Sequence, residues 1–278
     1  MEIKLIDRQV IFGTILILAV PFIAMVFFSF VFNSNAIGEI NLHGYNELSK
    51  NIRLQEIARI CFRSLIICSV ATIISYIISY LLVMYTSNKF QVLFLILISL
   101  PFLANEAVRV FSWQNVLAEN GLFNKFIGVF CDNSGRVFNS ANGLNIYVSM
   151  IITCIPFAIF ICTATFKVIP ENYWKVSNDL KLKQFTKFIK VGLPMSKASI
   201  LASTIITFFV AFSLSSEANF LGGATKISIR GFILSLMSAN RYEAIFAFGV
   251  ILFVLISLCI IIFYLFTKIK LFKLNEIN

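Results

Sequence analysis

Hydrophobic positions in this chain gather into six long runs, at about 10–32, 60–85, 90–111, 146–166, 198–221 and 244–267, and polar positions gather between them. A helix needs ~20 apolar residues to cross the hydrocarbon core of a bilayer, and each run has about that length. Lipid offers no partner to backbone N–H and C=O groups, so each run must satisfy them internally, as a helix. The pattern predicts an all-α, polytopic membrane protein with six transmembrane helices. Composition agrees: hydrophobic residues fill 59% and charged residues 13% of 278 positions, against about 25% charged in soluble domains. The first run follows Lys4 and Arg8, as the apolar core of a signal peptide would. It is longer than such a core and ends in Val31-Phe32-Asn33-Ser34-Asn35 without a small-residue cleavage site, so it reads as a retained span. No repeat divides the chain, and a single transmembrane domain, 1–278, is expected.

Six spans put both termini on one side, together with the turn at Lys89 and the loop 167–197. That side carries thirteen Lys and Arg residues, and the other carries nine spread over longer loops. Basic residues favour the cytoplasmic face, which places the termini and the 167–197 loop inside. The net charge of +10 then suits an anionic inner leaflet and needs no nucleic acid.

Chemistry by this chain alone is not expected. The six cysteines (61, 68, 131, 154, 162, 259) form no CxxC pair, and read as small apolar residues rather than a metal or disulfide framework. Gly222-Gly223-Ala224-Thr225-Lys226 has the wrong spacing for a phosphate loop. The single His43 lies in an outer loop, where neither a zinc motif nor a Ser-His-Asp set can be built around it. Pro101 and Pro156 fall inside spans 3 and 4; they read as packing kinks, or as bends that open a path between helices. Asn105 to Asn124 has helical spacing but is too polar for lipid, and is expected as an outer-face helix ending near Asn120-Gly121. Within it Glu106 and Arg109, at i,i+3, are placed to pair.

The loop between spans 4 and 5 is basic and amphipathic. Pro170 suits a helix first turn and Glu171 suits its positive end, giving a short helix to about Leu180. Leu182, Phe185, Phe188 and Ile189 share one side of a second, from Leu182 to Val191, with Lys183, Lys187 and Lys190 elsewhere. The joint falls at Lys181, and Gly192-Leu193-Pro194 is expected to break the helix before span 5. Composition alone allows such a hairpin to lie on a lipid surface.

This loop resembles the "EAA" loop of the inner-membrane permeases of ABC importers: Glu-Ala-Ala, three residues, glycine, nine residues, then Ile-x-Leu-Pro. Anchored on Leu193-Pro194, the spacing places Lys175-Val176-Ser177 at Glu-Ala-Ala, Asp179-Leu180 before the glycine, Lys181 at the glycine and Val191 at the isoleucine. The acid, both alanines and the glycine are replaced. Further matches run along the chain in order: Pro101-Phe102, Arg109, Trp113, Leu117, Asn120-Gly121-Leu122 with Asn124, Pro156-Phe157, Val168-Ile169-Pro170, Leu221-Gly222-Gly223-Ala224, Ile229 to Ala239, and Ala247-Phe248-Gly249. Together these resemble the spermidine/putrescine permeases of that family, with a type I importer (MetI-like) fold.

The resemblance implies a transport subunit in a bacterial inner (cytoplasmic) membrane. Its partners would be an ABC ATPase dimer, a second permease subunit, a periplasmic or extracellular substrate-binding protein and membrane lipid. It implies no cofactor on this chain; ATP and Mg belong to the ATPase. The loop would be the lever the ATPase pulls, with Tyr173, Trp174, Val176 and Leu180 as its buried contacts and Lys175, Ser177, Asp179, Lys181, Leu193 and Pro194 completing it. Aromatic anchors dominate interfaces, and the lysines would tune encounter. For a polycationic cargo, Glu217 and Asn219 at the end of span 5 are candidate path residues, with Trp113 and Tyr147 offering cation–π contacts; alternatively Glu217 pairs with a nearby arginine or sits at the headgroup level. A permease for an inorganic anion, iron or an amino acid shares the same architecture. A secondary carrier would need paired broken helices and mid-membrane acids, which the sequence does not display.

Overall fold

The computed structural model describes residues 19–31, 42–118, 120–130, 143–221 and 228–275. The start of the first run, 10–18, the turn-like Asp132–Asn142 and the Gly222–Lys226 segment lie outside them. In chain order the helices are α1 (Ala19–Val31), α2 (His43–Leu48), α3 (Asn51–Tyr85), α4 (Asn88–Leu103), α5 (Glu106–Val116), α6 (Leu122–Phe130), α7 (Leu144–Val168), α8 (Glu171–Asp179), α9 (Gln184–Lys187), a π-helical turn at Phe188–Gly192, α10 (Leu193–Met195), α11 (Lys197–Ser213), α12 (Ser215–Leu221), α13 (Ile229–Ser238) and α14 (Tyr242–Asn275). No strand occurs among the described residues, as the all-α expectation required. Arg53–Tyr85 and Leu144–Val168 are long and apolar enough to cross a membrane as single helices, and they contain the runs expected at 60–85 and 146–166.

Two other runs are spans only if bent. The run 90–111 was expected as a span bent or kinked at Pro101 and overlapping an outer-face helix from Asn105. The chain leaves α4 two residues after Pro101, passes through extended Ala104, and turns 98° into α5. Asn105 caps α5, its Oδ1 accepting from the Ala107 N–H at 3.0 Å, an orphan donor satisfied by a preferred cap residue. The outer-face helix also ends earlier than expected, at Val116, and α6 restarts after Gly121. A Cβ on Gly121 would stand 2.5 Å from the Val116 carbonyl oxygen, so only glycine fits that turn. The run 198–221 likewise divides: α11 ends at Ser213, and Leu214 separates it from α12. Glu217 therefore rides on a separate short helix. Polar residues follow each break, Asn105-Glu106 after Leu103 and Ser215-Ser216-Glu217 after Leu214, and the polar start at Asn105 is where the outer-face helix was expected.

The chain forms two compact units. In the unit holding α3 from Arg59 through α12, α7 is the core. Ile146, Met150, Cys154, Ala158, Cys162 and Phe166, four residues apart in turn, are all buried, forming one stripe of a 3.6-residue helix. Hydroxyls tie its neighbours to it. Ser75 and Ser79 of α3 donate to the Ile155 and Ile159 carbonyls at 3.1 and 3.3 Å, and Thr163 donates to Ser79 at 3.1 Å. Thr72 meets Thr207 of α11 at 3.3 Å. Small polar residues at helix contacts are how membrane bundles pack where the hydrophobic effect gives no preference. Gln91, buried at the start of α4, donates to the Leu82 and Thr86 carbonyls and fastens the tight α3–α4 turn.

The other unit gathers α1, α2, the first turns of α3, nearly all of α13 and α14 to Ile262. Phe22 meets Phe253 and Phe28 meets Phe246 along α1 and α14. A Cβ on Gly249 would press within 2.5 Å of Met25 Sδ, and one on Gly44 within 2.4 Å of the Glu243 carbonyl oxygen. In the same unit Glu47 is buried among Lys50, Arg53 (2.8 Å) and Arg241. Burial alone pushes its carboxyl up, but hydrogen bonds from Lys50 and Arg241 and the charges of Arg241 and Arg53 outweigh that and hold it below the usual carboxylate range. Arg241 is delivered there by the end of α13: Asn240, at φ 54°, donates to Met237 O, and Arg241 N donates to Leu236 O, a left-handed cap of the Schellman type.

Candidate functional site

The loop between α7 and α11 is a folded elbow. Its first helix, α8, ends as a second Schellman cap: Leu182 N donates to Ser177 O at 3.2 Å and Lys181 N to Asn178 O at 2.8 Å. Lys181 carries the positive φ, 48°, that this cap demands and that glycine adopts without a Cβ penalty. The expected joint at Lys181 is where the chain turns. The expected break at Gly192-Leu193-Pro194 is not. Pro194 sits in the first turn of α10, where its missing N–H is tolerated. The 75° bend comes at Ser196, whose hydroxyl donates to the Gly192 carbonyl at 2.7 Å.

One side of α8 is anchored. Trp174 lies 6.2 Å from Tyr80, and Tyr80 and Tyr76 surround Phe166 and Phe188 with ring centroids 4.9–5.6 Å apart. The Tyr76 hydroxyl meets Ser196 Oγ at 2.7 Å, the Tyr80 hydroxyl donates to the Gln184 carbonyl at 3.4 Å, and buried Ser177 donates to the Trp174 carbonyl at 2.7 Å. A Cβ on Gly192 would lie 3.5 Å from the Tyr76 hydroxyl and 3.8 Å from Trp174. This socket joins α8 and the π turn to the ends of α3 and α7. The other side of α8 is bare: Tyr173, Val176 and Leu180 are 50%, 56% and 66% exposed. Lys175 reaches Glu171 at 3.4 Å on the surface, and Asp179 and Lys181 are exposed. Leu193 is at the edge of exposure and Pro194 is half-buried. Trp174 was expected beside Tyr173, Val176 and Leu180 in an interface. It turns inward because residues 173, 176 and 180 share one helical face and 174 and 177 share another.

The second cluster joins α5, α7 and α12. Arg109 does not pair with Glu106 as the i,i+3 spacing suggested. Its Nη2 donates to Glu217 Oε1 at 3.1 Å, 108 residues away. Glu217 is fully buried, and the Arg109 side chain is 14% exposed. The pair is monodentate, and among the described residues Glu217 Oε2 and Arg109 Nε have no hydrogen-bond partner. Arg109 Cζ also lies 5.8 Å from the Phe102 ring centroid, within cation–π range. Phe102, Arg109, Ser112, Trp113, Thr153 and Pro156 help line a cavity of about 370 Å³. Trp113 thus joins Arg109, one turn away on the same helical face. Tyr147 packs on the neighbouring Ile67–Met150 core. Asn219 is exposed, its Oδ1 accepting from Ser228 at 2.8 Å. The alternative that Glu217 pairs with an arginine is what the fold shows, with Arg109 as that arginine; sequence reasoning missed which arginine it would be, and missed Phe102 and Thr153 as cavity walls.

The elbow is pinned to two long helices on one side and leaves the Tyr173, Val176 and Leu180 face of α8 bare on the other. Residues 85–269 match the family model described as "Binding-protein-dependent transport system inner membrane component", and the chain belongs to this family of membrane permeases. Among its relatives is the spermidine/putrescine transport system permease protein PotB of Haemophilus influenzae, 25% identical over 214 residues and 74% of each chain. A PotB homolog of Mycoplasma pneumoniae is 30% identical over 97 residues, 35% of this chain and 34% of its own length. In fold, the chain matches a solved bacterial ABC transporter involved in the import of the acidic polysaccharide alginate, with TM-score 0.68 and 13% identity, covering 96% of this chain and 94% of that one.

Proposed function

We propose that this chain is one permease subunit of an ATP-driven importer of polyamines, spanning a bacterial cytoplasmic membrane with its termini and the 167–197 loop inside. A second permease would share the pathway, a binding protein would deliver cargo, and an ATPase dimer would seat the bare face of α8 formed by Tyr173, Val176 and Leu180. The observation that carries this reading is the two-sidedness of α8. Its anchored side makes the elbow move as one body with α3 and α7, and its bare side leaves apolar area for a partner to cover. Chemistry rests with the ATPase, which binds ATP and Mg.

The polyamine assignment draws on the relatives named for spermidine and putrescine and on a buried carboxylate, Glu217, beside a cavity with aromatic walls. An inorganic-anion permease is the second reading. Arg63, buried in α3 with no ion-pair partner among the described residues, favours it. Gentle detergent pull-down tests the assembly: recovery of an ATPase and a second permease supports it, and a monomer that transports alone overturns it. Uptake of labelled spermidine and putrescine, set against sulfate and iron, tests the cargo.

A further inference from the structure

The Arg109–Glu217 pair has features that a structural staple would not need. Its acid is fully buried yet holds the arginine through one oxygen, and the second oxygen has no partner among the described residues. Removing the arginine with nothing in its place would strand a buried charge, a strongly unfavourable state. A cation can therefore leave Glu217 only if another cation, or a proton, takes over. The arginine also has a second seat at hand. It forms part of the wall of the 370 Å³ cavity, over the face of Phe102 and one turn from Trp113, whose rings hold a guanidinium without a carboxylate.

We propose that Arg109 is a tethered stand-in for the cargo's cation: it occupies Glu217 when the pathway is empty, and a protonated amine of the cargo displaces it toward Phe102 and Trp113 during passage. This rests on the polyamine reading and names the group that holds the cargo within that same site. An internal competitor keeps the buried acid neutralised throughout the cycle. It also weakens cargo binding in proportion to its own occupancy, because apparent affinity scales with the fraction of sites that are free, and weak holding lets cargo leave. If the arginine occupies the acid about nine-tenths of the time, its loss tightens binding about tenfold.

The test is equilibrium binding of radiolabelled spermidine to the assembled transporter, both permeases and the ATPase dimer, held with a non-hydrolysable ATP analogue. Arg109→Gln, which keeps a polar side chain on α5, is expected to tighten binding several-fold. Glu217→Gln is expected to weaken it at least tenfold, and the double variant should behave like Glu217→Gln alone. Arg109→Lys, which retains a tethered cation and supplies a second check on folding, should stay near wild type. Weakening by Arg109→Gln equal to that of Glu217→Gln overturns the proposal. So does wild-type binding by the charge-reversed pair Arg109→Glu with Glu217→Arg, since only a staple survives reversal. If the wild-type assembly binds no spermidine but carries sulfate, the polyamine reading fails and takes this proposal with it. If it binds spermidine and Arg109→Gln leaves binding unchanged, this proposal alone fails.

Discussion

Replacing Lys181 with glycine is expected to stabilise the protein. Lys181 occupies the left-handed position of the cap that closes α8, at φ 48°. There an L side chain crowds its Cβ against the following carbonyl, at a cost of roughly 1–2 kcal/mol. Glycine removes that strain but loses more backbone entropy on folding, about 0.5–1 kcal/mol. The Lys181 side chain is exposed, so little packing is lost. The net gain lies between about 0 and 1.5 kcal/mol, centred on about 0.75. For a chain of this size the central value corresponds to a rise in melting temperature of roughly 1–4 °C. The assay is thermal unfolding of purified wild-type and variant protein in one detergent at one pH. Lys181→Ala is the control, because it removes the charge and keeps the Cβ, and it should show no gain. A glycine variant that melts no higher than wild type, or an alanine variant that shares the gain, refutes the strain argument. The replaced glycine of the resembling motif then has a physical meaning: it is the residue the cap prefers.

Three further outcomes are expected. Tyr76→Phe removes the hydroxyl that meets Ser196 at 2.7 Å and should cost about 1 kcal/mol, read as a lower melting temperature; Ser196 keeps its bond to Gly192, so a large loss would mean the socket is held differently. Gly44→Ala places a Cβ 2.4 Å from the Glu243 carbonyl oxygen, where backbone must move, and should cost about 1–3 kcal/mol by the same measurement. Glu47 is more acidic in the fold than when free, so its contribution is present above its free value and is lost as pH falls through its folded one. Stability should drop on acidification below about pH 4.5, and Glu47→Gln should reduce that drop; an unchanged acid limb in the variant would place the sensitivity elsewhere.

Much of the fold was legible because lipid imposes a length rule that apolar runs obey. The runs at 60–85 and 146–166 lie within α3 and α7, and the joint at Lys181 follows from cap chemistry local to a few residues. The polar start at Asn105 marked a separate outer helix, but the sharpness of the turn at Ala104 and the break at Leu214 were not legible, because neither residue has a turn signature. Pro194 misled in the opposite direction: a proline two residues before the bend starts a helical turn instead of ending one. At the site, the residue types were readable but not their partners. Arg109 had an acid three residues away, and the local pair looked sufficient. Only the packing of α12 on α5 brings Glu217 to it. Trp174 was grouped with its exposed neighbours because aromatic character marks interface and core alike, and helical phase separates the two only once the anchored face is known.

The most direct measurement of the lever reading is site-directed crosslinking on α8 in the assembled transporter, carried through ATP turnover. A cysteine at Val176, on the bare face, should crosslink to the ATPase subunit. A cysteine at Ser177, on the anchored face, should not. Efficient ATP turnover in an assembly where Val176→Cys reaches only lipid-soluble reagents, and never the ATPase, would contradict the claim that this face is where the motor holds the permease.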